Sequence, residues 1–365
     1  MRIICDTQLL TETCLNVSRC VPAKAAMPHL ECILLRADAE GLKLSGFDLD
    51  LGITTCISVR VEREGAAVLN AKTLCDILRK MPESSVLIEC DEKNMCVIRS
   101  GNAEFKLVSL KPEEYPELPT IIEKKEIRMQ QVSLREMIKQ TIFAVSMEDS
   151  KSVHRGIKFE IRPGELRLVA IDGFRLAMRN DFIEYNGPEF SFVAPAKALA
   201  EVIKFIGDEE EFITVEVGKK HIRFGIGGYI IISRLLEGEF LKYESAIPNA
   251  KSTTVRVNTK NLIECIERTS IIITEKLRSP IKFIFDEDQI RLSALTAMGN
   301  ASDKLNASVD GKRTEIGFNN RFMLDALRSC DTDEVLIHLN GPQSPAVIVP
   351  PEGDSYLYLI LPIKI

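Results

Sequence analysis

The sequence has no tryptophan and only four histidines, at 29, 154, 221 and 338. Scattered so widely, they form no metal-ligand cluster. There are ten cysteines, eight of them at 5, 14, 20, 32, 56, 75, 90 and 96, but no C-x-x-C pair. Most have apolar neighbours, as in Cys32-Ile-Leu-Leu and Met95-Cys96-Val. Reduced, buried thiols are expected, and no metal or cofactor. Long apolar runs are missing too. Ile271–Ile273 and Leu357–Ile363, the latter broken by Pro362, fall far short of the roughly 18 residues that span a bilayer. The opening MRIICDTQLLTETCLNV has no apolar secretory core, so a cytoplasmic protein with no membrane partner is expected. No P-loop, G-x-S-x-G or H-E-x-x-H occurs, and Gly225-Ile-Gly-Gly precedes no helical pattern. What is present is ordinary globular composition: 365 residues, 45% hydrophobic and 27% charged, enough for two or three domains.

Internal repetition organises the chain. Gly41-Leu-Lys-Leu-Ser-Gly-Phe-Asp returns as Glu165-Leu-Arg-Leu-Val-Ala-Ile-Asp and as Gln289-Ile-Arg-Leu-Ser-Ala-Leu-Thr, at intervals of 124. Each copy alternates apolar and polar residues, as a half-buried strand does. Helical segments beginning at Asn70, Pro195 and Asn319 repeat at 125 and 124. Their apolar stripes include Leu74, Ile77, Leu78 and Met81, then Leu199, Val202, Ile203 and Ile206. A further helix is expected to begin at an N-capping Thr7, Ser133 or Thr259, with Ser133 and Glu136 as a capping box. Strand-like runs follow each second helix. The expected fold is α+β: three similar domains at 1–122, 128–248 and 253–365, each with two helices and about eight mostly antiparallel strands. Linkers are placed near 121–127 and 249–253.

The charge pattern repeats as well. Lys72, Asp76 and Arg79 stand at i, i+4 and i+7, as do Lys197, Glu201 and Lys204, and Arg321, Asp325 and Arg328. That spacing puts each trio opposite the apolar stripe. Arg135, Lys139, Lys260 and Arg268 add cations on the other helices, with Arg19 and Lys24 beyond the first. One surface built three times suits a long, repetitive partner such as duplex DNA, bound through phosphates without base reading. The net charge of −6 and the interleaved acids would keep the attraction weak. Asp48, Asp50 and Asp172 offer a metal-binding carboxylate set for an enzyme. Asp48 and Asp172 hold similar repeat positions where the third repeat has Thr296, which favours a turn role. A binding device without a catalytic site is expected. A protein-interaction scaffold that does not bind DNA is the alternative.

With these residues in view, the sequence resembles the bacterial DNA polymerase III beta subunit family, the sliding clamps, from end to end. Leu44-Ser-Gly-Phe-Asp-Leu, Phe105-Lys-Leu-Val-Ser-Leu with Tyr115-Pro, Leu168-Val-Ala-Ile-Asp-Gly-Phe-Arg-Leu-Ala, Ile316-Gly-Phe-Asn and Leu361-Pro-Ile-Lys-Ile carry the likeness. The resemblance implies a head-to-tail homodimer closed into a ring around DNA, helices lining the hole and sheets outside. It gives a processivity role in chromosome replication. It sets Lys24, Lys72, Arg79, Arg135, Lys139, Lys197, Lys204, Lys260, Arg268, Arg321 and Arg328 toward DNA. It implies a cleft for a short peptide motif of the polymerase III catalytic subunit, the clamp loader and other clamp-motif proteins. The cleft residues are Gly173, Arg175, Leu176, Leu241, Leu277, Asn319, Phe322, Leu359, Ile360, Leu361, Pro362 and Ile363, with Arg175 and Asn319 offering polar groups to the peptide. Phe174 stands where the family often has His, and Leu241 where it often has Pro, which makes the cleft more apolar. Phe105, Leu107, Ile271 and Ile272 would form a dimer contact less charged than in familiar members, with Asn102 and Glu104 facing Met298–Lys304.

Overall fold

Among the described residues, six α-helices form where the apolar stripes recur: α1 (Thr7–Val17), α2 (Ala71–Leu78), α3 (Gln131–Ile142), α4 (Ala196–Phe205), α5 (Thr259–Ser270) and α6 (Asn320–Arg328). In this computed structural model residues 1–148, 152–207, 211–274 and 279–365 are described. The caps sit one residue earlier than expected. Asp6 accepts from the Leu9 N–H at 2.8 Å and Asn258 from the Asn261 N–H at 3.0 Å. A carboxylate or amide on the preceding residue reaches the free N–H groups, so the hydroxyls do other work. Thr7 donates to the Glu83 carbonyl at 2.7 Å and Thr259 to that of Thr332 at 2.8 Å. Ser133 lies inside α3 and donates to Asp181, while Glu136 pairs with Arg135 and Lys139, so the expected capping box is not formed.

Nine strands fall in the first repeat, eight in the second and nine in the third, among the described residues. Strands begin at Lys125 and Thr253, inside the spans read as linkers. All strand pairs are antiparallel, and the chain divides into two compact units.

The first unit is Met1–Gln131 with Lys197–Leu235. Its five-stranded sheet runs Arg60–Arg63, Arg2–Asp6, Ser85–Cys90, Met95–Ser100, Ala103–Val108. Its eight-stranded sheet joins four strands from each of two repeats, meeting where Tyr229–Arg234 pairs with Leu51–Ile57. Helices α1 and α2 lie side by side. Leu10, Cys14, Leu74 and Leu78 are at most 1% exposed.

The second unit is Val132–Ala196 with Leu236–Ile365. Its nine-stranded sheet again combines two repeats, meeting where Arg175–Phe182 pairs with Tyr356–Ile360. Its four-stranded sheet runs Gly299–Asn306, Gln289–Thr296, Ile281–Asp286, Thr314–Phe318. Helices α5 and α6 lie side by side. The alternation read from sequence is plain in Glu334–Leu339, where Val335, Ile337 and Leu339 are buried and their neighbours are not.

Candidate functional site

The candidate peptide cleft is built entirely within the second unit, at the end of the Arg175–Phe182 and Tyr356–Ile360 pair. Leu176 stands opposite Leu359, and Arg175 opposite Ile360. Because side chains alternate across a strand, the pair presents two faces. On one, Leu176 and Leu359 join Ile171, Phe240, Tyr243 and Val347 in an apolar cluster, with Ile247 packed against it. Tyr243 fixes the segment that carries Leu241, its hydroxyl donating to Glu160 at 2.9 Å. Burial opposes charge on Glu160, yet Lys158 and the Tyr243 hydroxyl hold its carboxyl below the usual range.

On the other face Arg175 binds Asp172 at 2.9 Å and Asp325 of α6 at 2.6 Å. Its guanidinium lies 4.4 Å from the Phe322 ring centre and 5.4 Å from that of Phe143. The side chain is only 10% exposed. Arg175 therefore fixes α6 against the strand. The side-chain oxygen of Asn319 caps α6, accepting from the Arg321 and Phe322 N–H groups. Ile360 is 1% exposed on the Arg175 face, so it supports the cleft from behind.

What remains open to a partner is apolar. Phe174 is 58% exposed, Leu241 49%, Leu361 38% and Ile363 37%. Phe174 stacks on Phe322, ring centres 6.2 Å apart. The tail is pinned by its backbone: the Leu361 N–H donates to the Phe174 carbonyl at 2.9 Å, and the Ile363 N–H to that of Gly317 at 2.8 Å. A side chain at Gly317 would meet the Ile363 oxygen at 2.7 Å, so glycine is what lets the tail lie there. Gly173 has φ +89° and carries the turn that ends in Phe174. Leu277 lies outside the described residues. Sequence reasoning missed Asp325, Phe143, Phe240, Tyr243 and Gly317. The repeated plus–minus–plus helix pattern held the signal for Asp325, but it was read there as a solvent-facing acid.

Of the three aspartates offered as a catalytic set, Asp48 and Asp172 hold turns through their side chains. Asp48 accepts from the Asp50 and Leu51 N–H groups, and Asp172 from those of Phe174 and Arg175. Thr296 does the same for Met298 at 3.1 Å. Among the described residues no group of three or more His, Cys, Asp or Glu could hold a metal ion, and no helix is long and apolar enough to cross a membrane. A cavity of about 490 Å³ in the first unit is lined by Arg36, Lys43 and Tyr115 among others, and by no predicted site residue.

In the first unit Lys24, Lys72, Arg79, Lys197 and Lys204 are exposed. Arg79 pairs with Asp76 at 3.3 Å, Lys204 with Glu201 at 2.7 Å, and Lys197 with Asp48 at 2.6 Å. In the second, Lys139, Lys260, Arg268, Arg321 and Arg328 are exposed and Arg135 is half-buried. Arg268 pairs with Asp303 at 2.7 Å and Arg328 with Glu267 at 2.6 Å. Pairs between exposed side chains, such as Arg79 with Asp76 and Arg328 with Glu267, are worth little.

Among the strands that end their sheets with one unpaired side are Ala103–Val108 and Gly299–Asn306. Phe105 on the first is 38% exposed and Val108 72%, while Leu107 is partly covered. Just after α5, Ile271 is 79% exposed and Ile272 partly covered. Exposed apolar residues beside an unpaired edge are the usual mark of a surface meant to be covered.

Comparison with known proteins gives one answer along the whole chain. The N-terminal, central and C-terminal domains of the DNA polymerase III beta subunit match residues 1–119, 128–242 and 244–364. The beta sliding clamp of Halalkalibacterium halodurans is 32% identical, with all of both chains aligned. The crystal structure of the DNA polymerase sliding clamp of Bacillus subtilis superposes with a TM-score of 0.97 at 29% identity, covering 100% of this chain and 99% of that one. The sliding clamp of Pseudomonas aeruginosa gives 0.94 at 25% identity, with all of both chains covered. A threefold repeat, an apolar cleft beside a pinned tail and an end-to-end match agree: the chain belongs to the DNA polymerase III beta subunit family, the bacterial sliding clamps.

Proposed function

We propose that this chain is a DNA sliding clamp in which two copies close head to tail around duplex DNA, with domains at 1–122, 128–248 and 253–365. The observation that carries the reading is a pairing rule. Strand Leu51–Ile57 of the first repeat pairs with Tyr229–Arg234 of the second. Strand Arg175–Phe182 of the second pairs with Tyr356–Ile360 of the third. The repeat spacing maps the first member of each pair onto Gly299–Asn306 and the second onto Ala103–Val108, each of which ends its sheet with one unpaired side. A second copy can supply the missing partner for each. The known registers carry over: Phe105 falls opposite Ala301 of the other copy, as Tyr358 falls opposite Ala177 within the chain. A ring holds DNA by topology, so a weakly basic lining of ion-paired cations suffices.

In this reading the exposed cations on α2 to α6, with Lys24, approach phosphates without reading sequence. The cleft between Phe174, Leu241, Leu361 and Ile363 takes a short apolar motif from the polymerase III catalytic subunit, the clamp loader and other clamp-binding proteins. The chain is a processivity factor with no catalytic site of its own, acting in the cytoplasm. The test is retention on DNA. Loaded onto a nicked circle, the protein should stay with the circle through gel filtration at raised salt and leave when the circle is cut once. Equal retention on linear DNA, or none on the circle, would overturn the reading.

A further inference from the structure

Two of the ten cysteines face each other. Strands Ser85–Cys90 and Met95–Ser100 form a hairpin in which Cys90 stands opposite Cys96. The next pair toward the turn is hydrogen-bonded, with the Asp91 N–H donating to the Met95 carbonyl at 3.0 Å. Antiparallel pairs alternate, so Cys90 and Cys96 occupy a non-hydrogen-bonded position. The Cys90 N–H agrees, since it points to the opposite neighbour strand and donates to the Met1 carbonyl at 2.9 Å. At such positions the α-carbons lie about 4.5 Å apart, inside the span a disulfide accepts. Beside Cys96 the Cys90 thiol is drawn down against the effect of burial, while Cys96 is raised. Burial pushes Cys5 and Cys32 up to about 11, and Cys20, Cys265 and Cys330 to about 12. Those thiols are poorly ionised at neutral pH.

We propose that Cys90 and Cys96 are an oxidisable dithiol, closed to a reversible cross-strand disulfide by hydrogen peroxide or a related hydroperoxide. Cys90 is the attacking sulfur. It is 3% exposed, at the strand end where the exposed turn Asp91–Lys93 begins. Its thiolate forms a bond to one peroxide oxygen and the O–O bond breaks. Cys90 is left as a sulfenic acid, and the departing hydroxide becomes water. The Cys96 sulfur then attacks the Cys90 sulfur. The S–S bond forms, the S–O bond breaks, and hydroxide leaves with the Cys96 proton as a second water. Two thiols are oxidised and one peroxide is reduced. The bond would sit one strand in from the free edge, because Cys96 pairs with Leu107.

The full chain tests this directly. It is treated with graded hydrogen peroxide, alkylated, and cut with trypsin, which cleaves at Lys93 between the two cysteines. The expected product is the joined pair Met81–Lys93 and Asn94–Arg99, about 2 Da lighter than the sum of the thiol peptides and separated by dithiothreitol. It should appear at doses that leave Cys265 and Cys330 reduced. Cys96→Ser, checked for folding by its melting temperature, should instead accumulate a dimedone-reactive sulfenic acid on Cys90. The proposal is overturned if both cysteines are recovered as free thiols at a dose that oxidises the exposed Cys56. It is equally overturned if Cys90 is found joined to another cysteine.

Discussion

Replacing Leu361 and Ile363 together with alanine should weaken peptide binding by a calculable amount. Each side chain is already about two-thirds covered by its own chain, at 38% and 37% exposure. A docked peptide can cover only the remaining third. Full burial of a Leu or Ile side chain is worth roughly 1.5–3 kcal/mol, so that third contributes about 0.5–1 kcal/mol each. The double variant should lose about 1–2 kcal/mol, or roughly 5- to 30-fold in Kd. The tail should stay in place, because Phe174 and Gly317 hold it through main-chain hydrogen bonds that alanine keeps. Fluorescence anisotropy with a labelled clamp-motif peptide measures the change, and a thermal melt checks the fold. Ile122→Ala, at a residue 90% exposed outside the cleft, is the control and should leave Kd alone. A double variant that binds within twofold of the parent, with an unchanged melt, would refute the assignment of the tail to the partner site.

Two further outcomes follow from the other surfaces. Reversing Lys72, Arg79, Lys197, Lys204, Arg321 and Arg328 together should shorten retention on closed circular DNA at raised salt while leaving the melting temperature nearly unchanged, since all six are exposed; retention equal to the parent would remove these helices from the DNA-facing surface. Aspartates at Ile271 and Ile272 would set unpaired charges in a closing contact at a cost of several kcal/mol, so sedimentation at low micromolar concentration should show monomers; an intact dimer would exclude these residues from it.

Much of the architecture was legible because repetition amplifies weak local signals. One Leu-Lys-Leu-Ser run predicts a strand poorly, but three at one interval fix both strand and repeat. The cap positions were missed by one residue because Asp6 and Thr7, or Asn258 and Thr259, both suit a helix start, and only tertiary contacts to Glu83 and Thr332 decide which does the capping. The apolar character of the cleft was visible in Leu241, Leu361 and Ile363. The role of Arg175 was not, because its partner Asp325 reaches it only when the third repeat docks on the Arg175 strand. The division into two units was hidden as well. Local patterns mark where a strand is, and leave open which repeat supplies its neighbour.

The sharing of one sheet between repeats has a cost during synthesis. Ile53 finds its partner in Ile231, 178 positions further along (231 − 53). At roughly 5–20 residues per second, strand Leu51–Ile57 waits about 9–36 s on the ribosome with an open edge. For that interval the nascent first repeat exposes an apolar strand able to pair with any similar strand nearby, including the same strand of a neighbouring nascent chain. Fast synthesis and early chaperone cover would shorten or shield that interval.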